Sequence, residues 1–368
     1  MSRRDVVVLG GGIIGAALAE ELARRGRRVA LIERGTIGAE ASSAAAGILS
    51  AQMDLPRPGP LLELCQAARK LYPSWIAHLE RRSGLSLGFH VDGILYLAMS
   101  RREESAMSQR ARWQRKLGLR VESWSSQQVR RHEPAVDGRI RSGFSFPTEA
   151  QVDNVRLMEA LARACRKAGV EIRERTRVRR LIIRARRVRG VETDRGRLVA
   201  SVVVNCLGSW AGMDRVFPIP VPVEPARGQM LAFQGPKRLV RHAVMSDQAY
   251  MVQRRDGRLI LGSTIEFVGY QKSLTLEGMH SILCGVRRMT SALNECSFLE
   301  AWAGFRPCTK DRLPILGKTS IEGLYIATGH FRHGILLAPV TAQLMAELVL
   351  RGRCAVDLTP FSPCRFKP

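Results

Sequence analysis

Val6-Val7-Val8-Leu9-Gly10-Gly11-Gly12-Ile13-Ile14-Gly15 reads as a buried strand, a glycine turn and the opening of a helix. Gly10 permits the tight turn, Gly12 lets a pyrophosphate approach the backbone, and Gly15 lets the helix lie close against the strand. The helix N-terminus then presents free N–H groups to the phosphates. Helical periodicity continues over residues 16–25, Gly26 stops it, and a second strand, Arg28-Val29-Ala30-Leu31-Ile32, ends at Glu33. That carboxylate stands 18 positions after Gly15, where the fingerprint puts the acceptor for adenosine ribose hydroxyls. A glycine-rich turn alone occurs in many folds. Strand, turn, helix, stop, strand and acid in one register define a dinucleotide site.

The chain has 368 residues, 45% of them hydrophobic, which is enough for a large core and about two domains. No stretch reaches the roughly 18 unbroken apolar residues that span a bilayer, and the N-terminus enters strand one directly, without a signal-peptide cleavage pattern. The expectation is a soluble, cytoplasmic protein with no membrane span. The eight cysteines show no CxxC pair and no metal spacing, as reduced thiols in a cytosolic protein would. Net charge is +25, from 58 Lys and Arg against 33 Asp and Glu. Such a balance raises a polyanionic partner, nucleic acid included. The basic residues, however, run along the whole chain. They are densest at 173–197, where they alternate with Val178, Leu181, Ile182 and Val188 like the outer face of a hairpin layer, with Gly190 and Gly196 at turns. No arginine-aromatic stacking platform accompanies them, so solvated surface is favoured over nucleic-acid binding.

Further along, 61–83 reads as helix, 92–98 as strand and 103–116 as a polar helix. Asp153 is the expected N-cap of a helix that Gly169 ends. Strands follow at 170–172 and 202–205, the second running into the small-residue turn Cys206-Leu207-Gly208-Ser209-Trp210. Segments 219–233 and 249–265 alternate as in an antiparallel sheet. Residues 324–351 return to strand, glycine loop and helix, with Gly352 past the helix end. Dinucleotide-type elements at the beginning, middle and end imply an α/β fold with a discontinuous Rossmann-like domain and an inserted substrate domain on a mostly antiparallel sheet. The expected division assigns 1–85, 150–212 and 300–368 to the first, and 86–149 and 213–299 to the second.

Five segments resemble the FAD-dependent amine and amino-acid oxidases of the D-amino-acid oxidase type, in particular the glycine oxidases of thiazole (thiamine) biosynthesis. They are Gly10–Gly15 with Glu33; Ser42-Ser43-Ala44-Ala45-Ala46-Gly47-Ile48-Leu49; Tyr250-Met251-Val252 with Gly262-Ser263-Thr264; Trp302-Ala303-Gly304-Phe305-Arg306-Pro307; and Gly329-His330-Phe331-Arg332-His333-Gly334-Ile335-Leu336-Leu337-Ala338-Pro339. The last two are the specific ones. The resemblance implies noncovalent FAD. Its expected contacts are Gly10, Gly12, Ile13, Ile14, Gly15, Glu33, Arg34, Ser42, Ser43, Ala46, Gly47, Ile48, Val178, Gly208, His330, Phe331, Arg332, His333, Gly334, Ile335 and Leu336. It also implies a small amino-acid substrate, O2 as electron acceptor and a homo-oligomer.

Substrate recognition falls to Arg306, because an amino-acid carboxylate calls for a planar, permanently charged fork. By resemblance Arg332 and Tyr250 join it. Helix N–H dipoles after Gly329 suit the negative charge of a reduced isoalloxazine. The flavin carries the chemistry, so no catalytic side chain and no metal are expected. Three substrate-side positions depart from the family pattern: Gln248 stands for a histidine, Gln253 for a proline and Ile265 for a methionine. A covalent tether through Cys308, a dehydrogenase using another acceptor, an oxidase of a carboxymethylaminomethyl group on a tRNA wobble base, and an FAD-binding structural paralogue are the alternatives.

Overall fold

The computed structural model describes residues 4–212 and 216–366. Its apolar strands and amphipathic helices assemble around two eight-stranded sheets. In the first sheet Arg4–Leu9 lies centrally, parallel to Val29–Ile32 on one side and to Gly196–Asn205 on the other. Glu171–Arg173 extends it beyond Val29–Ile32, and Leu324–Thr328 and Ile315–Lys318 extend the other edge. Strands buried on both faces need helices to cover them, and four helices build the largest core here: Ile13–Arg24, Pro60–Ser83, Asn154–Lys167 and Gly334–Arg351. Asp153 caps the third by accepting from the Val155 and Arg156 amides. Gly334–Arg351 has the length and hydropathy of a membrane span, yet two thirds of it is buried within the fold, as in a core helix.

The second sheet runs in the order Ser297–Cys308, Glu224–Gln234, Arg258–Gly262, Tyr250–Gln253, Ala243–Met245, Ile94–Ala98, Ser142–Phe146, Glu122–Ser125. All neighbours are antiparallel except Ala243–Met245 with Ile94–Ala98. This is the expected α/β architecture with a mostly antiparallel second sheet.

Two local expectations are corrected. Position 300, the expected boundary, lies inside the strand Ser297–Cys308, whose full length pairs with Glu224–Gln234. The Trp302–Pro307 motif therefore reaches the dinucleotide cleft from the second sheet. Gly190 is not at a turn: it sits within Arg187–Thr193, at a register shift after Val188, and an added Cβ would stand 1.9 Å from the Leu198 carbonyl oxygen. The register shift against Val178–Arg184 inserts Arg189, and the close approach to Gly190 comes from the strand on the other side, Gly196–Asn205. The turn itself falls on Ala185 and Arg186, both at positive φ.

Candidate active site

A cleft of about 1860 Å³, part of it open to solvent, lies between the two sheets. Its dinucleotide end grows from the first strand-turn-helix unit. Gly10 turns at φ +102°, and an added Cβ on Gly15 would stand 1.9 Å from the Gly10 carbonyl oxygen, so the helix lies directly on the turn. Glu33 is oriented by two backbone donors: Gly11 N–H to Oε2 at 2.7 Å and Gly35 N–H to Oε1 at 2.8 Å. Its remaining lone pairs are free for ribose hydroxyls. The Arg34 guanidinium lies 4.0 Å over the Trp210 ring, and both side chains border the cleft.

The run of small residues after Ser42 is held by its carbonyls. Asn154 donates to Ser42 O and Ser43 O at 2.9 Å, Trp302 Nε1 to Ala44 O at 3.0 Å, and Arg254 to Ala46 O at 2.7 Å. The Ser42 hydroxyl oxygen accepts the Ile13 N–H at 2.9 Å, joining this run to the phosphate turn. On the far wall the first turn of Gly334–Arg351 meets the cleft through Gly334, Ile335 and Leu336. His330 is buried against the Thr341 hydroxyl at 3.1 Å, and burial pulls its pKa down to about 3. It is a neutral imidazole. His333 Nε2 is buried with no protein partner, and burial lowers that pKa too, with Asp54 opposing and Arg332 reinforcing the shift.

At the substrate end Arg306 rises from the strand Ser297–Cys308 opposite Ala226. Nη1 donates to Thr264 O at 3.0 Å and Nη2 to Ser263 Oγ at 2.8 Å. The space it occupies exists because Gly228 has no side chain: a Cβ there would stand 2.1 Å from Nη1. Burial lowers the Arg306 pKa from its ordinary value, and the Tyr250 hydroxyl beside it counteracts. Among the described residues Arg306 has no carboxylate partner. Arg332 does have one: its Nη2 lies 3.2 Å from Asp54 Oδ1.

The expected contacts Gly10, Gly12, Ile13, Ile14, Glu33, Arg34, Ser42, Ala46, Gly47, Ile48, Val178, Gly208 and residues 330–336 all border this cleft, as do Tyr250, Arg306 and Arg332. Gly15 and Ser43 do not; they act one layer back, through helix contact and through the Asn154 bond. None of the three departures lines the cleft. Gln248 is exposed and accepts from Arg288 at 2.8 Å. Gln253 is buried, accepting from Val240 N–H and donating to Pro236 O. Ile265 is 47% exposed. Cys308 is buried outside the cleft as well. Sequence reasoning missed Asp54, Gly228 and the Trp210 side chain. A lone acid in a loop carries no pattern, and Gly228 acquires its meaning only from the strand opposite. Trp210 lay within a turn read for its backbone.

A glycine turn, an acid with both oxygens oriented, a helix N-terminus and a buried unpartnered imidazole in one cleft fit a flavin dinucleotide. They define an oxidoreductase of the two-domain flavoprotein class. A family model for FAD-dependent oxidoreductases matches residues 5–348, and the chain belongs to that family, with FAD as its cofactor. The glycine oxidase of Geobacillus kaustophilus is 33% identical over 368 residues, covering 99% of this chain and 97% of that protein. A crystal structure of glycine oxidase from the same organism superposes with a TM-score of 0.96, at 32% identity and 100% coverage of both chains. The bifunctional protein ThiO/ThiG of Synechocystis is 36% identical over 98% of this chain, which spans 54% of its length.

Proposed function

We propose that this protein is an FAD-dependent amino-acid oxidase acting on glycine or a small N-substituted or D-amino acid, in the thiazole branch of thiamine synthesis. The observation that carries the proposal is Arg306: a half-buried guanidinium on the cleft wall, held by two neutral acceptors and lacking an ion-paired carboxylate. A charge in that position is costly without an anion, and a substrate carboxylate supplies one. The relatives named glycine oxidase support the same substrate class.

Two of the five Arg306 N–H donors are spent on Thr264 and Ser263, which leaves one on each terminal nitrogen for a bidentate carboxylate. Tyr250, with its hydroxyl against Arg306, completes the contact. Arg332 stands at the same end of the cleft. With the carboxylate fixed, Cα is directed toward the wall formed by residues 330–336, and the helix dipole there favours negative charge. FAD supplies the hydride acceptor and the route of electrons to O2, which leaves as hydrogen peroxide. The substrate reacts as the neutral amine, and the imine from a primary amino acid hydrolyses to ammonia and an oxoacid, glyoxylate from glycine, whereas an open-chain N-substituted substrate releases the corresponding amine instead of ammonia. No side chain is required as a base.

The test is to mix the purified protein under nitrogen with glycine, sarcosine, D-alanine and D-proline and follow the flavin absorbance. Bleaching by at least one, followed by peroxide formation on admitting air, is the expected result. Bleaching without reoxidation by O2 would identify a dehydrogenase, and no bleaching would end the proposal. Acid precipitation of the same sample should release FAD into the supernatant, in keeping with Cys308 lying outside the cleft.

A further inference from the structure

Two guanidiniums meet the substrate end of the cleft, and their surroundings differ. Arg306 is held by a carbonyl and a hydroxyl, both neutral. Arg332 is held by the Asp54 carboxylate, 16% exposed, at 3.2 Å. Asp54 is itself fixed in place. Its N–H donates to Ser50 Oγ at 3.3 Å. The loop before it is tied down where Ala51 and Gln52 donate their amides to the buried Glu149 carboxylate at 2.6 and 2.9 Å. A carboxylate held this way is a fixed countercharge for Arg332. The other charged side chains on the cleft wall, Glu33, Arg34, Glu40 and Arg177, line its dinucleotide end, where Arg34 and Glu40 pair at 3.5 Å.

We propose that Asp54 restricts the cleft to monocarboxylates: by pairing with Arg332 it leaves Arg306 as the cation without an ion-pair partner at the substrate end, so that the cleft is matched to one carboxylate and closed to a second. The proposal rests on the amino-acid oxidase reading and deepens it. A substrate bearing a second carboxylate on its nitrogen substituent or side chain must either displace Asp54 from Arg332 or bring its charge against Asp54. Like-charge juxtaposition of that kind is how a site rejects a competitor. Removing the Asp54 charge turns Arg332 into a second anion-binding fork.

The experiment uses the FAD-loaded full chain and reads ligand binding from perturbation of the flavin absorption spectrum, so it does not depend on turnover. Acetate is the monocarboxylate probe; malonate and succinate are the dicarboxylate probes. Asp54→Asn should tighten at least one dicarboxylate roughly tenfold while acetate shifts by roughly threefold or less, the gap expected for one newly available charged contact. Adding Arg332→Gln to Asp54→Asn should abolish the gain. Arg332→Gln alone leaves Asp54 unpaired beside the substrate end, and it should weaken acetate and the dicarboxylates alike. In turnover, Asp54→Asn should raise kcat/KM for iminodiacetate relative to glycine through a lower KM. Equal shifts for acetate and the dicarboxylates, or no shift, overturn the proposal while leaving the amino-acid oxidase reading standing. If no carboxylate perturbs the wild-type flavin, and Arg306→Ala changes nothing, both fall. Circular dichroism and flavin content of each variant separate a folding defect from a binding result, and the opposite signs predicted for Asp54→Asn and Arg332→Gln keep the test decisive if one variant is lost.

Discussion

At the scale of single residues, Arg306 shows how a functional side chain is built from its neighbours. Gly228 makes the space, Ser263 and Thr264 fix the plane of the fork, and the absence of an acid leaves the charge for a ligand. Arg306→Ala should lower kcat/KM for the amino acid by about 2 to 4 kcal/mol, mostly through KM, with flavin content near normal. Arg306→Lys should recover part of that loss, since an ammonium cannot reproduce two parallel bonds. Steady-state kinetics on both variants checks this; unchanged kinetics in Arg306→Ala would move the carboxylate site to Arg332. Arg306 was legible in the sequence because it stands in the motif Trp-Ala-Gly-Phe-Arg-Pro. Asp54 was not, because an ion pair with Arg332, 278 positions away, has no local signature.

At the scale of elements, the turn between Arg4–Leu9 and Ile13–Arg24 is a joint with no room for a side chain. Gly15→Ala would drive a methyl group into the Gly10 carbonyl. Helix and strand would have to part, at a cost of about 1 to 3 kcal/mol for an overpacked contact. The expected outcome is a lower melting temperature together with weaker FAD retention on gel filtration; a variant with wild-type flavin occupancy and melting temperature would contradict it. This joint was readable because every requirement on it is local: alternation, glycine spacing, a stop and an acid. The N-cap at Asp153 was readable for the same reason. Gly190 and the strand crossing position 300 were misread because a bulge and a strand's sheet membership are set by the partner strand. The ladder from Glu224–Cys308 to Gln234–Ser297 joins residues more than 60 positions apart.

At the scale of the whole molecule, the charge of +25 asks for an account. Many basic side chains are locally paired, such as Arg24 and Arg25 with Glu21, Arg163 with Glu159 and Arg180 with Glu192. The hairpin Val178–Arg184 and Arg187–Thr193 carries Arg179, Arg184, Arg187 and Arg189 as exposed residues, with Ile182 and Ile183 between them and no aromatic ring in either strand. Such a surface attracts polyanions through charge alone. Binding of tRNA should therefore be measurable at low ionic strength and vanish at physiological salt, and added tRNA should leave oxidation of a free amino acid unchanged. Retention of tRNA at physiological salt, with glyoxylate released from modified tRNA, would instead favour the wobble-base oxidase. Filter binding across a salt series distinguishes the two.

The cleft wall is drawn from residues as far apart as Gly10 and Leu336, and the phosphate turn is separated in sequence from the helix N-terminus opposite it by most of the chain. A ribosome making this protein releases the phosphate turn more than 300 residues before the far wall follows. Until then, no nascent chain possesses both sides of the cradle. FAD capture consequently waits for the far wall, and the supply of flavin acts on chains that already carry both sides of the cradle.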